Sequence, residues 1–587
     1  MSALSVSVGQ LQTNARQWEA FTTEGHCVVL APPGSGKTQL LTTRLAFDVA
    51  NKIKKPQGAA CITLTNAAAD ELRRRVELLG VEDRPTLFVG TVHSFALRKI
   101  IEPYATMIGR PELANITIAS KQQCDKAYEE AIDEAFPYGA DIWNVRSTIK
   151  INRERLASAE DWARHSDEVQ LAAKLYEAKL RDQGLYDFLD VVATAVELVE
   201  RHRSIRQVLT AAYPHIYVDE YQDLPPGLDR LVKALCFDHL SNSELFAVGD
   251  PEQAVYAFNG AKPELLLQLA RQPDVATVEL EHNYRCGQEL IRIANLMRRG
   301  KAPITGHREG GQASATYCPG GMEDQYRHVV QHVRDGARRG VSLHEIAVLC
   351  PLREQCRRAA ELLRANGIPA FFRDTEETYR LGLVTGFIEG VAAWAALGRE
   401  RSHYRLGDLL WRWRTIRGSR WTQDDDVALV ELLMAYQDRT QEPATSFVSD
   451  LLALDLASAL DRVALADDAL EVRRMQAALT TGDLRNASVR ELAERARKVD
   501  RVEVTTTVSS KGLEFDIVLL VGADEESIPS WLSKTTSQLD EERRKFYVSI
   551  TRARNELRIF YSRWVLTKRN NRRDVQPSRY LREIGLI

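Results

Sequence analysis

The chain has 587 residues, 44% hydrophobic and 27% charged, which is the composition of a soluble protein of several domains. A formal net charge of −3 excludes a polycation, so any surface for nucleic acid must be a local basic patch. Eight cysteines without a C-x-x-C pair read as reduced thiols rather than a metal or disulfide framework; with no apolar run of bilayer length and no signal-peptide pattern at the start, the expected compartment is the cytoplasm, with no membrane partner.

In chain order, Gln17 comes first: its amide can donate to and accept from the edge of an adenine, or it is a plain surface residue. Cys27-Val28-Val29-Leu30 reads as a buried strand and Leu40 onward as a helix. Between them, Ala31-Pro32-Pro33-Gly34-Ser35-Gly36-Lys37-Thr38 has the G-x-x-x-x-G-K-[ST] form of a phosphate loop, with Ala31 at the first glycine position. Its backbone N–H groups and the following helix N-terminus suit phosphate oxygens. Lys37 would reach the β- and γ-phosphates of ATP, and the Thr38 hydroxyl would hold Mg²⁺.

Strands are expected at 59–64 and from Val89, each followed by a polar cluster: Thr65 and Asn66 after the first, His93 with the aromatic Phe95 after the second. Strand ends are where an open α/β sheet presents ligand sites, though Asn66 also suits a helix cap and Phe95 a core. Residues 97–186 look helical, with a capping-box pattern at Ser120. His215-Ile216-Tyr217-Val218 is a strand ending in Asp219-Glu220. Phosphoryl transfer to water needs one carboxylate for the metal and one for the water, which fits Asp219 and Glu220 in turn. A further strand, 245–248, leads to Asp250 and Gln253, an amide placed to sense a γ-phosphate; Tyr256 and Phe258 follow, suited to base stacking or to packing.

A second α/β block begins near Glu279, with a strand at 346–350 and a helix at 354–366. Residues 372–500 turn helical, with an amphipathic stretch over 451–465. The sheet resumes at Val502, with a buried strand at 517–521, and 540–554 reads as a helix carrying Arg552. Arg285 and Arg552 are candidates to reach a γ-phosphate from the second block, or are surface salt bridges.

Taken together, Gln17, the loop 31–38, Thr63 to Asn66, Gly90 to Phe95, Asp187-Phe188-Leu189-Asp190, Asp219 to Asp223, Val248 to Ala261, Asn283-Tyr284-Arg285, Ser510 to Phe515, Tyr547 to Arg554 and Pro577 to Leu581 resemble the motifs of the superfamily 1A helicases, the UvrD, Rep and PcrA family. The resemblance implies an α/β fold of two RecA-like parallel-sheet motor domains, each interrupted by a helical insertion. It divides the chain into 1–96 with 187–275 (1A), 97–186 (1B), 276–371 with 500–587 (2A) and 372–499 (2B). It implies ATP and Mg²⁺ between the motors, single-stranded or 3′-tailed DNA across them, and 3′ to 5′ movement. By the same carry-over Tyr284 stacks on adenine, Arg285 and Arg552 touch the γ-phosphate, Gln253 senses it, and Lys511 and Glu514 sit at the seam between nucleotide and DNA. Thr65, Asn66, His93, Tyr256 and Phe258 lie on the DNA side.

The sequence departs from the family pattern at Leu64, Ala67, Asn259 and Val508, all on the DNA or coupling side, and at Gln39, where an arginine often lies against adenine. The expectation is intact ATP chemistry with a weakened grip on DNA. A short second insertion and no appended nuclease domain suggest a partner, as for the helicase subunit of an anti-phage system such as Gabija, which pairs with an OLD-family nuclease. The alternative function is an ATP-gated DNA-sensing subunit that controls a partner nuclease without productive unwinding.

Overall fold

The computed structural model describes residues 2–81, 86–119, 121–238, 243–255, 260–298, 301–372, 379, 381–402, 404–460, 466–482, 484–497, 500–566 and 571–587. Short apolar runs form strands, and the amphipathic stretches between them return as helices, so the strands pair in parallel. The first sheet contains β1 (His26–Leu30), β2 (Ala59–Thr63) and β3 (Leu87–Thr91). After a two-stranded ribbon of β4 (Thr117–Ile118) and β5 (Leu185–Tyr186), it is completed by β6 (His215–Val218), β7 (Glu244–Gly249) and β8 (Val275–Glu279). Its order is β3-β2-β6-β7-β1-β8, parallel throughout. β8 runs across the boundary expected at 275/276 and forms the sheet edge beside β1.

The second sheet contains β9 (Gln312–Tyr317), β10 (Ile346–Cys350), β11 (Ala370–Phe371), β12 (Val502–Thr506), β13 (Phe515–Leu520) and β14 (Ala553–Tyr561). Its order is β11-β12-β10-β13-β14-β9, again parallel. A hairpin of β15 (Trp564–Leu566) and β16 (Arg572–Asp574) follows. Alternate residues fill opposite faces: Val28, Ile62, Val218 and Ala247 pack on one side of the first sheet, Val29, Cys61, Tyr217 and Val248 on the other. With both faces covered, the strands read as continuous apolar runs. Among the described residues no helix is long and apolar enough to cross a membrane.

Helices fill most of 96–212 and 383–496 and have cores of their own, around Tyr128, Ile149 and Tyr176 in the first and Phe387, Trp413 and Phe447 in the second. Asp187 and Asp190 cap the helix Phe188–Arg201 reciprocally. Both also accept from the buried Arg153, Asp190 at 2.7 Å. That part of the family-like motif therefore fastens the helical block to the sheet.

Three local expectations change. The helix expected over 540–554 is Thr536–Ile550; the chain turns at Thr551, so Arg552 lies in a tight connection to β14. The helix expected over 451–465 breaks at Leu454 and Asp455, where Asp455 has φ +64° and Arg417 takes both its carbonyl and its carboxylate. Thr65, not Asn66, caps the helix Asn66–Leu78. Ser120, at the head of the expected capping box, lies outside the described residues.

Candidate active site between the two sheets

The glycine-rich loop leaves the C-terminal end of β1 and runs into the helix Lys37–Asn51. Ala31 donates to the Gly249 carbonyl at 2.9 Å, tying the loop to the end of β7. Gly34 and Gly36 have φ of +72° and +80°, conformations that open the turn and are costly for other residues. The space is equally restrictive: a Cβ on Gly34 would fall 2.7 Å from Arg285 Cβ, and one on Gly36 would fall 2.8 Å from the Gln17 amide nitrogen. Gln17 is buried and donates to the Ser35 carbonyl at 2.8 Å, so one of its two amide N–H groups serves the loop.

β6 delivers the carboxylates. Asp219 is buried, and desolvation together with the neighbouring Glu220 pushes its carboxyl above the usual range. Glu220 has the left-handed φ of +53°, a strained backbone for a residue with a side chain. It turns its carboxylate to Lys37, with Oε1 2.7 Å from Nζ, while Lys511 Nζ stands 3.7 Å from Oε2. Burial would raise Glu220, but these two ammonium groups win and hold it well below an ordinary carboxylate. The Lys37–Glu220 pair also brings together the two segments that carry Thr38 and Asp219, the expected Mg²⁺ ligands.

A relay of amides leaves this centre. Gln222 donates to Glu220 and accepts from the Asp250 N–H at 2.9 Å; Gln253 donates to Asp250 at 2.8 Å and accepts from Arg552 at 3.3 Å. Gln222 and Asp250 lie in segments singled out in the sequence, which assigns neither a role. Their signal was a short amide or carboxylate just past a buried strand, which a buried position makes into a connector.

From the second sheet's side, Asn283 donates to the Pro33 carbonyl at 2.8 Å, and the Tyr284 N–H to the Gly34 carbonyl at 2.8 Å. Arg285 pairs with Glu514 and reaches the Thr551 carbonyl at 3.3 Å, while its Nε is buried without a hydrogen-bond partner among the described residues. Arg552 is 1% exposed. Its donors go to the Val548 and Leu513 carbonyls, the Thr551 hydroxyl and Gln253, none of them a carboxylate. Desolvation, with Arg285 adding repulsion, lowers its pKa to about 10. Lys511 crosses to the first sheet's side as well, pairing with the buried Asp223 and donating to the Gln253 carbonyl at 2.7 Å.

Tyr284 is 44% exposed; its hydroxyl accepts from Asn14 at 2.9 Å, and His282 packs against its ring with centroids 4.5 Å apart. Gln39 donates to Gln10 at 2.7 Å. On the expected DNA side, Thr65 is exposed, and His93 packs edge-on against Phe188 at 5.4 Å, its imidazole driven by burial to a pKa of about 4 and so uncharged. Leu64 packs against the core. Tyr256, Phe258 and Asn259 lie outside the described residues, as do the side chains of Asn66 and Ala67.

Two parallel RecA-like sheets, each interrupted by a helical block and meeting at a glycine-rich loop, define a protein of the two-domain helicase class. The chain belongs to the UvrD/Rep helicase family: residues 13–274 match the UvrD/REP helicase N-terminal domain and residues 430–564 the UvrD-like helicase C-terminal domain. Similar proteins include the ATP-dependent DNA helicase PcrA of Staphylococcus epidermidis, 26% identical over 97% of this chain and 86% of its own length. The protein of the same name from Staphylococcus aureus is 26% identical over the same shares.

Proposed function

We propose that the protein is an ATP-dependent DNA helicase that moves 3′ to 5′ along a single strand, hydrolysing ATP between its two RecA-like domains. The observation that carries this reading is Arg552, a buried guanidinium with no carboxylate among the described residues hydrogen-bonded to it, joined through Gln253, Asp250 and Gln222 to the Glu220–Lys37 pair. A buried cation without an anion costs several kcal/mol (about 3–5 when a buried pair is broken) and calls for a negative partner. With the free Nε of Arg285 and the loop amides, it outlines a receptor for a triphosphate reached from both sides.

In this reading Lys37, Arg285 and Arg552 bind the phosphates, and Tyr284 stacks on adenine beside Gln17. Thr38 and Asp219 hold Mg²⁺, which supplies charge neutralisation at the phosphate oxygens. Glu220 accepts the proton of the attacking water. When phosphate draws Lys37 away, Glu220 loses the nearer of the two charges that keep it a weak base, so base strength and occupancy rise together. Gln253 and Arg552 couple the phosphate to closure, and Lys511 carries the change toward the DNA side, where Thr65, Asn66, His93, Tyr256 and Phe258 contact the strand.

Glu220→Gln is expected to bind ATP nearly normally and hydrolyse it about 10²–10⁴-fold more slowly. Single-turnover hydrolysis beside nucleotide affinity checks this; an unchanged rate assigns the base elsewhere. The reading as a whole is tested by ATPase assays with and without single-stranded DNA, and by strand displacement on 3′- and 5′-tailed duplexes. DNA-stimulated turnover with displacement of the 3′-tailed duplex alone is the expected result. Turnover without displacement would favour the gating subunit of a nuclease, and 5′ preference would overturn the polarity.

A further inference from the structure

Cys318 follows β9, the edge strand of the second sheet, and its side chain is completely buried. Asp324 and His328 are four residues apart on the helix Met322–Arg338, and so share a face of its first turns. The thiol sulfur, a carboxylate oxygen and an imidazole nitrogen all lie within 4.8 Å of one another. Each has neighbours of its own. Asp324 accepts from the Gly320 N–H at 3.2 Å and has Arg327 at 3.7 Å. The His328 ring stacks on Phe560 with centroids 6.0 Å apart. The turn between the cysteine and the helix is pinned from outside by Trp564, which donates to the Pro319 carbonyl at 2.9 Å and leaves no room for a Cβ on Gly321, where φ is +75°.

The charge around the thiol is negative. Asp324 and Asp524 are the charged groups that bear on it, both carboxylates. The closest hydrogen-bond partner of its sulfur is the Thr316 carbonyl at 3.7 Å, which is no source of positive charge.

The geometry points to a zinc site at Cys318, Asp324 and His328, on the second domain and apart from the nucleotide cleft. One sulfur, one nitrogen and one oxygen donor are the mixed set that zinc accepts, whereas magnesium and calcium ask for oxygen alone. Bonds of about 2.0–2.3 Å require the three donors to draw in by roughly 1 Å, and the half-buried Asp324 and His328 have the freedom to do so. Water completes a fourth position on the exposed side. The thiol proton is released to solvent on binding. The metal clips the end of β9 to the start of the helix, beneath the β15–β16 hairpin.

The test uses the full chain freed of metal by chelation and titrated with Co²⁺ as a spectroscopic probe and Zn²⁺ as the competitor. One Co²⁺ per chain, a sulfur-to-cobalt charge-transfer band, and displacement by one Zn²⁺ are expected. Zn²⁺ should raise Tm without changing ATP turnover. Cys318→Ser should abolish the band, and Asp324→Asn and His328→Gln should each weaken affinity at least about tenfold. A titration without a charge-transfer band, a band that survives Cys318→Ser, or affinity unchanged in both helix variants would overturn the assignment. His328→Gln, at a half-buried position, keeps the test valid if the buried cysteine variant fails to fold. Loss of ATPase activity in all forms would count against the proposed function and leave the metal result standing.

Discussion

Arg552→Ala is expected to lower kcat for ATP hydrolysis by about 10³-fold or more while leaving ATP affinity within a few-fold. The guanidinium is the second domain's charge at the end of the amide relay from Glu220, and its hydrogen bonds to Gln253, Leu513 and Val548 fix its planar fork. Charge that develops in the transition state gains most from a cation already desolvated and oriented. Truncation also takes a donor from the Leu513 carbonyl, at about 1–3 kcal/mol if it is left unpaired, whereas the Val548 carbonyl keeps the Thr551 hydroxyl at 3.0 Å. Thermal unfolding should therefore be measured beside the kinetics. Arg552→Lys keeps the charge but loses the fork and should recover stability more than rate. A kcat unchanged in a folded Arg552→Ala protein would place this arginine outside the chemistry.

Lys37→Ala is expected to abolish measurable turnover, a fall of at least about 10²–10³-fold, and to weaken ATP binding as well. The two variants therefore differ in kind: one removes a contact present from binding onward, the other a contact that matters most as the bond breaks. Lys37 also neutralises Glu220 at 2.7 Å, but Lys511 remains 3.7 Å from the same carboxylate, so the loss of stability should be smaller than for a buried pair broken outright. Isothermal titration with a non-hydrolysable ATP analogue and a steady-state assay separate the two effects. Retained turnover would move the active site elsewhere.

What could be read from the sequence was what is local. A glycine loop between an apolar run and a helix, and an acidic pair closing another apolar run, declare themselves within ten residues, and both occupy the strand ends expected. Contacts between distant segments could not be read in that way. Asn283 reaching the Pro33 carbonyl, and Lys511 pairing with Asp223, join segments whose sequences give no sign of each other. Arg552 is a candidate by type alone, and its setting differs from the helix expected over 540–554, because helical periodicity runs on through Thr551 to a turn that tertiary packing imposes. The break at Asp455 has the same origin in Arg417, nearly forty residues earlier. Cys318 has no paired cysteine to mark it: a thiol, a carboxylate and an imidazole are spread along a strand end and a helix.

The strand orders carry a consequence for how the chain is made. A ribosome that has delivered Glu279 has released every strand of the first sheet, so that half can close while synthesis continues. The other half cannot. β10 lies between β12 and β13, and β9 has β14 as its single neighbour, so both wait with open hydrogen-bonding edges while the intervening helices emerge. Over that interval the nascent protein exposes the kind of surface that chaperones cover and that aggregates recruit.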